Sequence, residues 1–202
     1  MQHAFFELPV SVHDYQQGED NLESAMGLKK GEQITSCAAL CLAGHALGAT
    51  GAMVLGTELN HSLGAHITWL DLSSASTGNQ RGWMEIGSGS SGNLPFSDAA
   101  GSAPLKDAGA VALCAGLANN EHLTFLNLAG NQIGAHGGVA IGNMLVKNKV
   151  ISTLILGRDL ALNANTIGPA GAAGLAVALA QSDCGIELLD VSHNGIADQG
   201  CL

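Results

Sequence analysis

Residues 123–138 read LTFLNLAGNQIGAHGG, and this stretch decides the fold. Leu126 and Leu128 are two residues apart, which predicts a short strand with both leucines on one side. Asn131 follows in a turn, where its amide can bond backbone groups that no neighbouring strand reaches. Ile133 then returns to the core before a helix begins. One strand, one turn and one helix start cannot enclose a core, so the stretch must pack against copies of itself.

The same pattern recurs along the chain at a nearly constant spacing. Leu126 and Leu154 are 28 residues apart, Leu40 and Leu70 are 30 apart, and Leu70 and Leu126 are 56 apart, which is twice 28. The matching segments are 37–59, 67–72, 105–117, 123–145, 151–156, 165–179 and 186–202. Such a period predicts a row of stacked strand–helix units that share one continuous core.

Each unit repeats the same residue types in the same order. The polar turn residue is His45, Asn131, Asn165 or Asn194, and the aliphatic residue after it is Leu47, Leu105, Ile133, Ile167 or Ile196. Asp107 and Asp198 occupy a slot just before the helix, where a carboxylate can cap free N–H groups, and Pro169 suits a first helical turn. A recurrent glycine, as at Gly137, and the small residue after it let the helix approach the strand layer closely.

The chain divides into a segment that lacks the pattern and an array that has it. Residues 1–33 are expected to be an N-terminal cap or a disordered segment, and residues 34–202 form the repeat array. Within the array, residues 73–104 are rich in Gly and Ser and are either a degenerate repeat, with Leu94 and Phe96 as its strand pair, or a flexible insertion.

Two further units depart from the pattern. The unit at 151–171 is about six residues too long, and its strand pair is either Leu154 and Leu156 or Leu160 and Leu162; the apolar Ile151 favours the first pair. The final unit stops before its helix, which is expected if the chain is truncated, pairs with another molecule or frays at its end.

The L-x-x-L-x-L-x-x-N-x-I-G-x-x-G pattern followed by a helix resembles the ribonuclease-inhibitor-type leucine-rich repeat. The resemblance covers residues 37–72 and 105–202, about two-thirds of the chain. It implies an α/β solenoid shaped like a horseshoe, with parallel strands on the concave face and helices on the convex face. It also implies a protein-binding role, usually inside cells, without naming a target.

The open side of the strands is the expected binding surface. Side chains point to it from the third, fifth and seventh positions of each repeat. The third-position row is Ala39, Trp69, Phe125, Thr153 and Leu188, and the fifth-position row is Cys41, Asp71, Asn127, Ile155 and Asp190. Two of the seven aromatic residues fall together on the first row, flanked by polar side chains, as in a binding hot spot. The predicted contact residues are Trp69, Asp71, Phe125, Asn127, Ile155, Arg158, Leu188 and Asp190. The alternative is that residues 73–104 or the N-terminal segment cover the aromatic pair.

Composition narrows the class of partner. The chain of 202 residues has 7 Lys and Arg against 17 Asp and Glu, for a net charge of −10, and its positive charges are scattered. Nucleic acid and anionic membrane are therefore disfavoured, and a basic protein partner fits the charge. Five cysteines without C-x-x-C spacing favour a reducing, cytoplasmic location. The N-terminal sequence lacks the features of a signal peptide.

Catalytic and metal-binding motifs are missing from the sequence. There is no phosphate-binding loop, no G-x-S-x-G and no H-E-x-x-H, so neither an enzyme, a cofactor nor a metal site is expected. The expected function is a non-enzymatic protein–protein interaction scaffold. The alternatives are a regulator of an enzyme, either an inhibitor or a GTPase-activating protein that supplies Arg158 or Arg81, and a fragment of a larger repeat receptor.

Overall fold

The computed structural model describes residues 5–7, 39–43, 47–61, 63–73, 104–157 and 164–197. Within these ranges the strands are β1 (Phe5–Glu7), β2 (Ala39–Cys41), β3 (Trp69–Asp71), β4 (Phe125–Asn127), β5 (Thr153–Ile155) and β6 (Leu188–Asp190). The helices are α1 (Gly48–Leu59), α2 (Lys106–Leu117), α3 (Ala135–Lys147) and α4 (Gly168–Leu179), with a single 3-10 turn at Leu63–Ala65.

All six described strands form one parallel sheet in the order of the chain. Parallel neighbours need a crossover connection, and from β2 onwards each described connection contains one helix. The helices lie in a second layer, which is the predicted α/β solenoid. Helices are about 10 Å wide and strands about 4.8 Å apart, so the sheet takes the shorter, inner side of the stack.

The core lies between the two layers, where the repeated aliphatic residues meet. Leu126, Leu128 and Ile133 each have 0% of their surface exposed, as the opening stretch requires. The central strand residues are in register across the sheet: Leu40, Leu70, Leu126, Leu154 and Leu189. This register confirms Leu154 as a strand residue, whereas Leu160 and Leu162 lie outside the described residues.

The asparagines of the turn slot form a ladder that joins successive units. Asn165 shows the arrangement: its Oδ1 accepts from the N–H groups of Asn131 (3.0 Å) and Ile133 (2.9 Å). Its Nδ2 donates to the carbonyls of Leu128 (2.9 Å) and Leu156 (2.8 Å). All four bonds are buried, and three of them reach the preceding unit. The predicted structural role of this slot is therefore confirmed for Asn165; His45 lies outside the described residues.

A second pair of buried asparagines, not predicted from the sequence, joins successive units at the amino-terminal ends of the strands. Asn148 donates to the carbonyls of Leu117 (2.8 Å) and Asn120 (2.9 Å), and its Oδ1 accepts from two N–H groups just before β5. Asn120 makes the equivalent bonds one unit earlier. Its Nδ2 donates to the carbonyl of Leu59, and its Oδ1 accepts from two N–H groups just before β4. The two asparagines are 28 residues apart and each stands three residues before a buried aliphatic residue, a signal that the sequence contains.

Asp107 caps a different helix from the one that the sequence predicts. It lies in the first turn of α2, yet its Oδ1 accepts from Gly134 N (2.7 Å) and Gly137 N (2.9 Å) at the start of α3. The prediction that it caps its own helix is wrong, because stacking brings the next helix N-terminus within reach of the carboxylate. Asp198, in the equivalent slot, lies outside the described residues. Pro169 does stand in the first turn of α4, as predicted.

Close helix–helix contacts depend on glycines inside the helices. A Cβ added to Gly116 would overlap the backbone of Gly56, and one added to Gly142 would overlap the carbonyl of Gly174. The backbones of α1 and α2, and of α3 and α4, therefore touch directly. The recurrent glycine is also crowded: a Cβ at Gly137 would lie 2.8 Å from Asp107 Oδ1 and 3.2 Å from the Ala110 Cβ.

The connection from β3 to α2 is much longer than its counterparts. It spans 72–105, which is 34 residues, whereas the connection from β4 to α3 spans the seven residues 128–134. Strand β3 nevertheless pairs directly with β4, through Leu70 and Leu126. Leu94, Phe96 and Arg81 lie outside the described residues. At the N-terminal end of the sheet, β1 (Phe5–Glu7) pairs in parallel with β2.

Candidate protein-binding face

The strand face, which comprises the third- and fifth-position residues of the strands, carries a stacked aromatic pair. Trp69 and Phe125 are partners in the β3–β4 register. Their ring centroids are 4.9 Å apart and their planes differ by 13°. This distance equals the usual spacing of neighbouring strands, so each ring stands above its own strand. Both side chains are half-buried, so the pair retains surface that a partner can cover.

The residues on either side of this aromatic stack are smaller. In the register, Ala39 stands beside Trp69, and Thr153 stands beside Phe125. Ala39 is buried and Thr153 is half-buried, while Leu188, one strand further on, is 49% exposed. The exposed Leu188 adds apolar surface to the same row, on the far side of Thr153 from the aromatic stack.

The polar residues of the fifth-position row shape the turns that follow the strands. Asp71 Oδ1 accepts from Ser73 N at 2.8 Å, Asn127 Oδ1 from Ala129 N at 3.1 Å, and Asp190 Oδ1 from the N–H two residues later at 3.0 Å. These side chains are half-buried. They were predicted as partner contacts, and the structure adds a local role that would keep them oriented in the absence of a partner.

Ile155 does not share the exposure of its row. Only 8% of its surface is accessible, so the prediction of an exposed contact at this position is wrong. The side chains of Asp190 and Ser192 lie against Gly157, two residues beyond Ile155, and so crowd this end of β5. Removing an aliphatic side chain such as that of Ile155 from water lowers the free energy of the folded chain. The polar side chains at the equivalent positions, Asp71 and Asn127, have no such hydrophobic contribution. Arg158 lies outside the described residues.

The described residues include one buried thiol whose pKa is strongly shifted. Burial raises the pKa of the Cys114 thiol to about 12, so it stays protonated and unreactive at neutral pH. No three His, Cys, Asp or Glu side chains among these residues converge on a possible metal position. Nor do these residues include a helix long and apolar enough to cross a membrane.

Comparison with known proteins gives one family. The family described as Leucine Rich repeat matches residues 119–142 and 184–202. The first match holds Asn120, strand β4 and the start of α3, and the second holds strand β6. No curated protein matches the chain. These two segments thus match leucine-rich repeats, and the described residues form an α/β solenoid of the kind that such repeats build.

Proposed function

We propose that the protein is a non-enzymatic interaction scaffold that binds a partner protein on its strand face, with the Trp69–Phe125 stack as the anchor. Leucine-rich repeats indicate a role in protein interaction. The stack carries the proposal. Two large rings that could have been buried in the core stand instead on the strand face, where both side chains are half-buried. Aromatic residues of this kind dominate the binding free energy of many interfaces.

The charge of the surface supports a basic partner. Asp71 stands two residues from Trp69, and Asp190 two residues from Leu188. The lysines of the described ranges lie elsewhere: Lys106 and Lys147 are on helices, and Lys149 pairs with Asp183 at 2.9 Å. A partner with positive charge at its rim would therefore associate faster and in a defined orientation. The same distribution disfavours nucleic acid and anionic membrane as partners.

The repeat is proposed to be of the ribonuclease-inhibitor type, and the protein to act in the cytoplasm. The helices of 12 or 13 residues that follow β2, β3, β4 and β5, and the 28-residue spacing of Leu126 and Leu154, support this subclass. The thiols of Cys114 and Cys184 are free, which supports a reducing compartment.

The test is affinity capture from an extract of cells that express the protein, followed by calorimetry with the partner that mass spectrometry identifies. We expect Trp69→Ala and Phe125→Ala each to weaken binding by about 2 kcal/mol, or about 30-fold in Kd. The thermal unfolding of both variants should stay cooperative, since neither ring belongs to the buried core.

Val177→Ala is the matched control. Val177 lies on α4 in the helix layer and is 57% exposed, so the change removes apolar surface away from the strand face. It should leave the affinity unchanged. If both aromatic variants bind the partner as tightly as the unsubstituted chain, the strand face is not the binding surface and the proposal fails.

A further inference from the structure

The core is less well covered at the C-terminal end of the sheet than along its length. Leu189 continues the row of Leu126 and Leu154, which are both 0% exposed, but Leu189 itself is half-buried. Leu145 and Leu179 each stand eight residues after the recurrent glycine of their helix, and they are 2% and 42% exposed. We call this apolar surface the end face, and its residues are Leu179, Ile186, Leu189 and Val191.

The other end of the same core is closed among the described residues. Leu40 and Leu42 of the first repeat are 0% and 1% exposed. Strand β2, which contains Leu40, lies between β1 and β3. In the described part of the chain, a copy therefore offers an apolar end beside β6 and none beside β2.

The backbone of β6 has an outer edge that no described strand covers. Leu188 N–H donates to the carbonyl of Ser152 (3.0 Å), and the carbonyl of Asp190 accepts from Leu156 N–H (2.8 Å), so these groups face β5. Successive residues of a parallel strand direct their backbone groups to opposite sides. The N–H and C=O of Leu189 therefore point away from β5, as in an edge strand that can pair with another chain.

We infer that the end face binds the end face of a second copy of this chain, with the two β6 strands antiparallel about a two-fold axis. The edge is self-complementary in this arrangement. When Leu189 lies opposite Leu189 of the second copy, the N–H of each donates to the C=O of the other. Both leucine side chains then point to the core side, so the two cores become continuous. Leu188 lies opposite Asp190 of the second copy, which keeps like charges from facing each other directly.

This arrangement closes at two copies. Each copy uses its β6 edge once, and an isologous contact leaves no equivalent edge for a third copy. The strand faces of both copies lie on the same side of the joined sheet, because paired strands share their core side. The inference goes beyond the proposed function, since the end face and the strand face are separate surfaces.

The test is sedimentation equilibrium of the full chain over a wide range of concentration. We expect a reversible equilibrium between monomer and dimer, with a dissociation constant on the order of micromolar and no larger species. Each copy carries a net charge of −10, so added salt should screen the repulsion and tighten the association. Hydrogen exchange locates the contact, because the Leu189 amide should exchange several-fold more slowly in the dimer than in dilute protein.

Charged variants of the end face should weaken the association. Leu189→Asp places two carboxylates together at the two-fold axis and should raise the dissociation constant at least about tenfold. Leu189→Lys should do the same, whereas an equimolar mixture of the two variants should form a heterodimer. Leu179→Asp should also weaken the association, and its site is 42% exposed, so this variant should fold even if those at Leu189 do not.

Val177→Asp is the matched control, because it adds the same charge to α4 away from the end face. Val177 is 57% exposed. Asn143 stands at the same place in α3 and is exposed although described helices precede and follow α3, so this position faces solvent rather than a neighbouring unit. The control should associate like the unsubstituted chain, and circular dichroism checks that each variant is folded.

The inference is overturned if the chain stays monomeric throughout the range, if species larger than a dimer form, or if added salt weakens the association. It is also overturned if the Leu189 amide is already protected in the dilute monomer, because another part of the chain then covers the end face. An association that Leu179→Asp leaves unchanged, or that Trp69→Ala abolishes, assigns the contact to a different surface. The proposed function is tested by partner binding, so it stands or fails separately.

Discussion

The asparagine ladder allows a stability prediction with an internal comparison. Asn165→Ala removes four buried hydrogen bonds, two accepted from N–H groups and two donated to carbonyls. The backbone partners remain buried and cannot turn to water. At about 1 kcal/mol for each bond, the variant should lose about 4 kcal/mol of unfolding free energy.

Asn194 occupies the same slot one unit later but is less completely bonded. Its Nδ2 donates to the carbonyls of Leu156, Val191 and Ser192, while its Oδ1 is buried without a hydrogen-bond partner in the described structure. Asn194→Ala removes three donated bonds, of which only the bond to Leu156 is fully buried, and the unpaired oxygen is removed with them. The expected cost is about 2 kcal/mol, roughly half that of Asn165→Ala.

Urea unfolding followed by far-ultraviolet circular dichroism measures both changes. The slope of free energy against urea must stay constant across variants for the comparison to hold. Hydrogen exchange adds a local reading, because the amides of Asn131 and Ile133 should lose protection in Asn165→Ala. Equal costs for the two variants, or a cost below about 1 kcal/mol for Asn165→Ala, would refute the reasoning from bond count.

Three further predictions concern the helix contacts and one ion pair. Gly142→Ala should cost about 3 kcal/mol because its Cβ has no room against α4; Gly168→Ala, at φ +58° with open space around it, should cost only about 1 kcal/mol, and urea unfolding compares the two. Asp107→Ala should cost about 1.5 kcal/mol and reduce the protection of the first α3 amides from hydrogen exchange, whereas Asp107→Asn, which keeps an acceptor, should cost less. The hydrogen bond from Lys149 lowers the pKa of the Asp183 carboxyl, so the pair stabilises the fold above the unfolded pKa and this contribution is lost as pH falls through the folded pKa. Carboxyl NMR titration should show that Lys149→Ala raises the pKa of Asp183, and an unchanged value would contradict the pairing.

Much of the fold could be predicted from periodicity alone. The spacing of Leu126 and Leu154 predicts stacked units, and period-two alternation places Trp69 and Phe125 on one row. This works because a strand offers only two faces, and burying the leucines decides which face is open. Each further repeat unit buries the same face of its strand and exposes the same positions.

The tertiary structure decided what depends on the offset between neighbouring units. That offset sets which atom of one unit meets which atom of the next, and no spacing within a unit contains it. Asp107 therefore caps the following helix, and Gly142 meets a backbone carbonyl of α4. For the same reason Ile155 is buried while Asn127, at the equivalent position, keeps part of its surface open. The sequence determined the row of units and the face they leave open, and the stacking of one unit on the next determined the contacts between them.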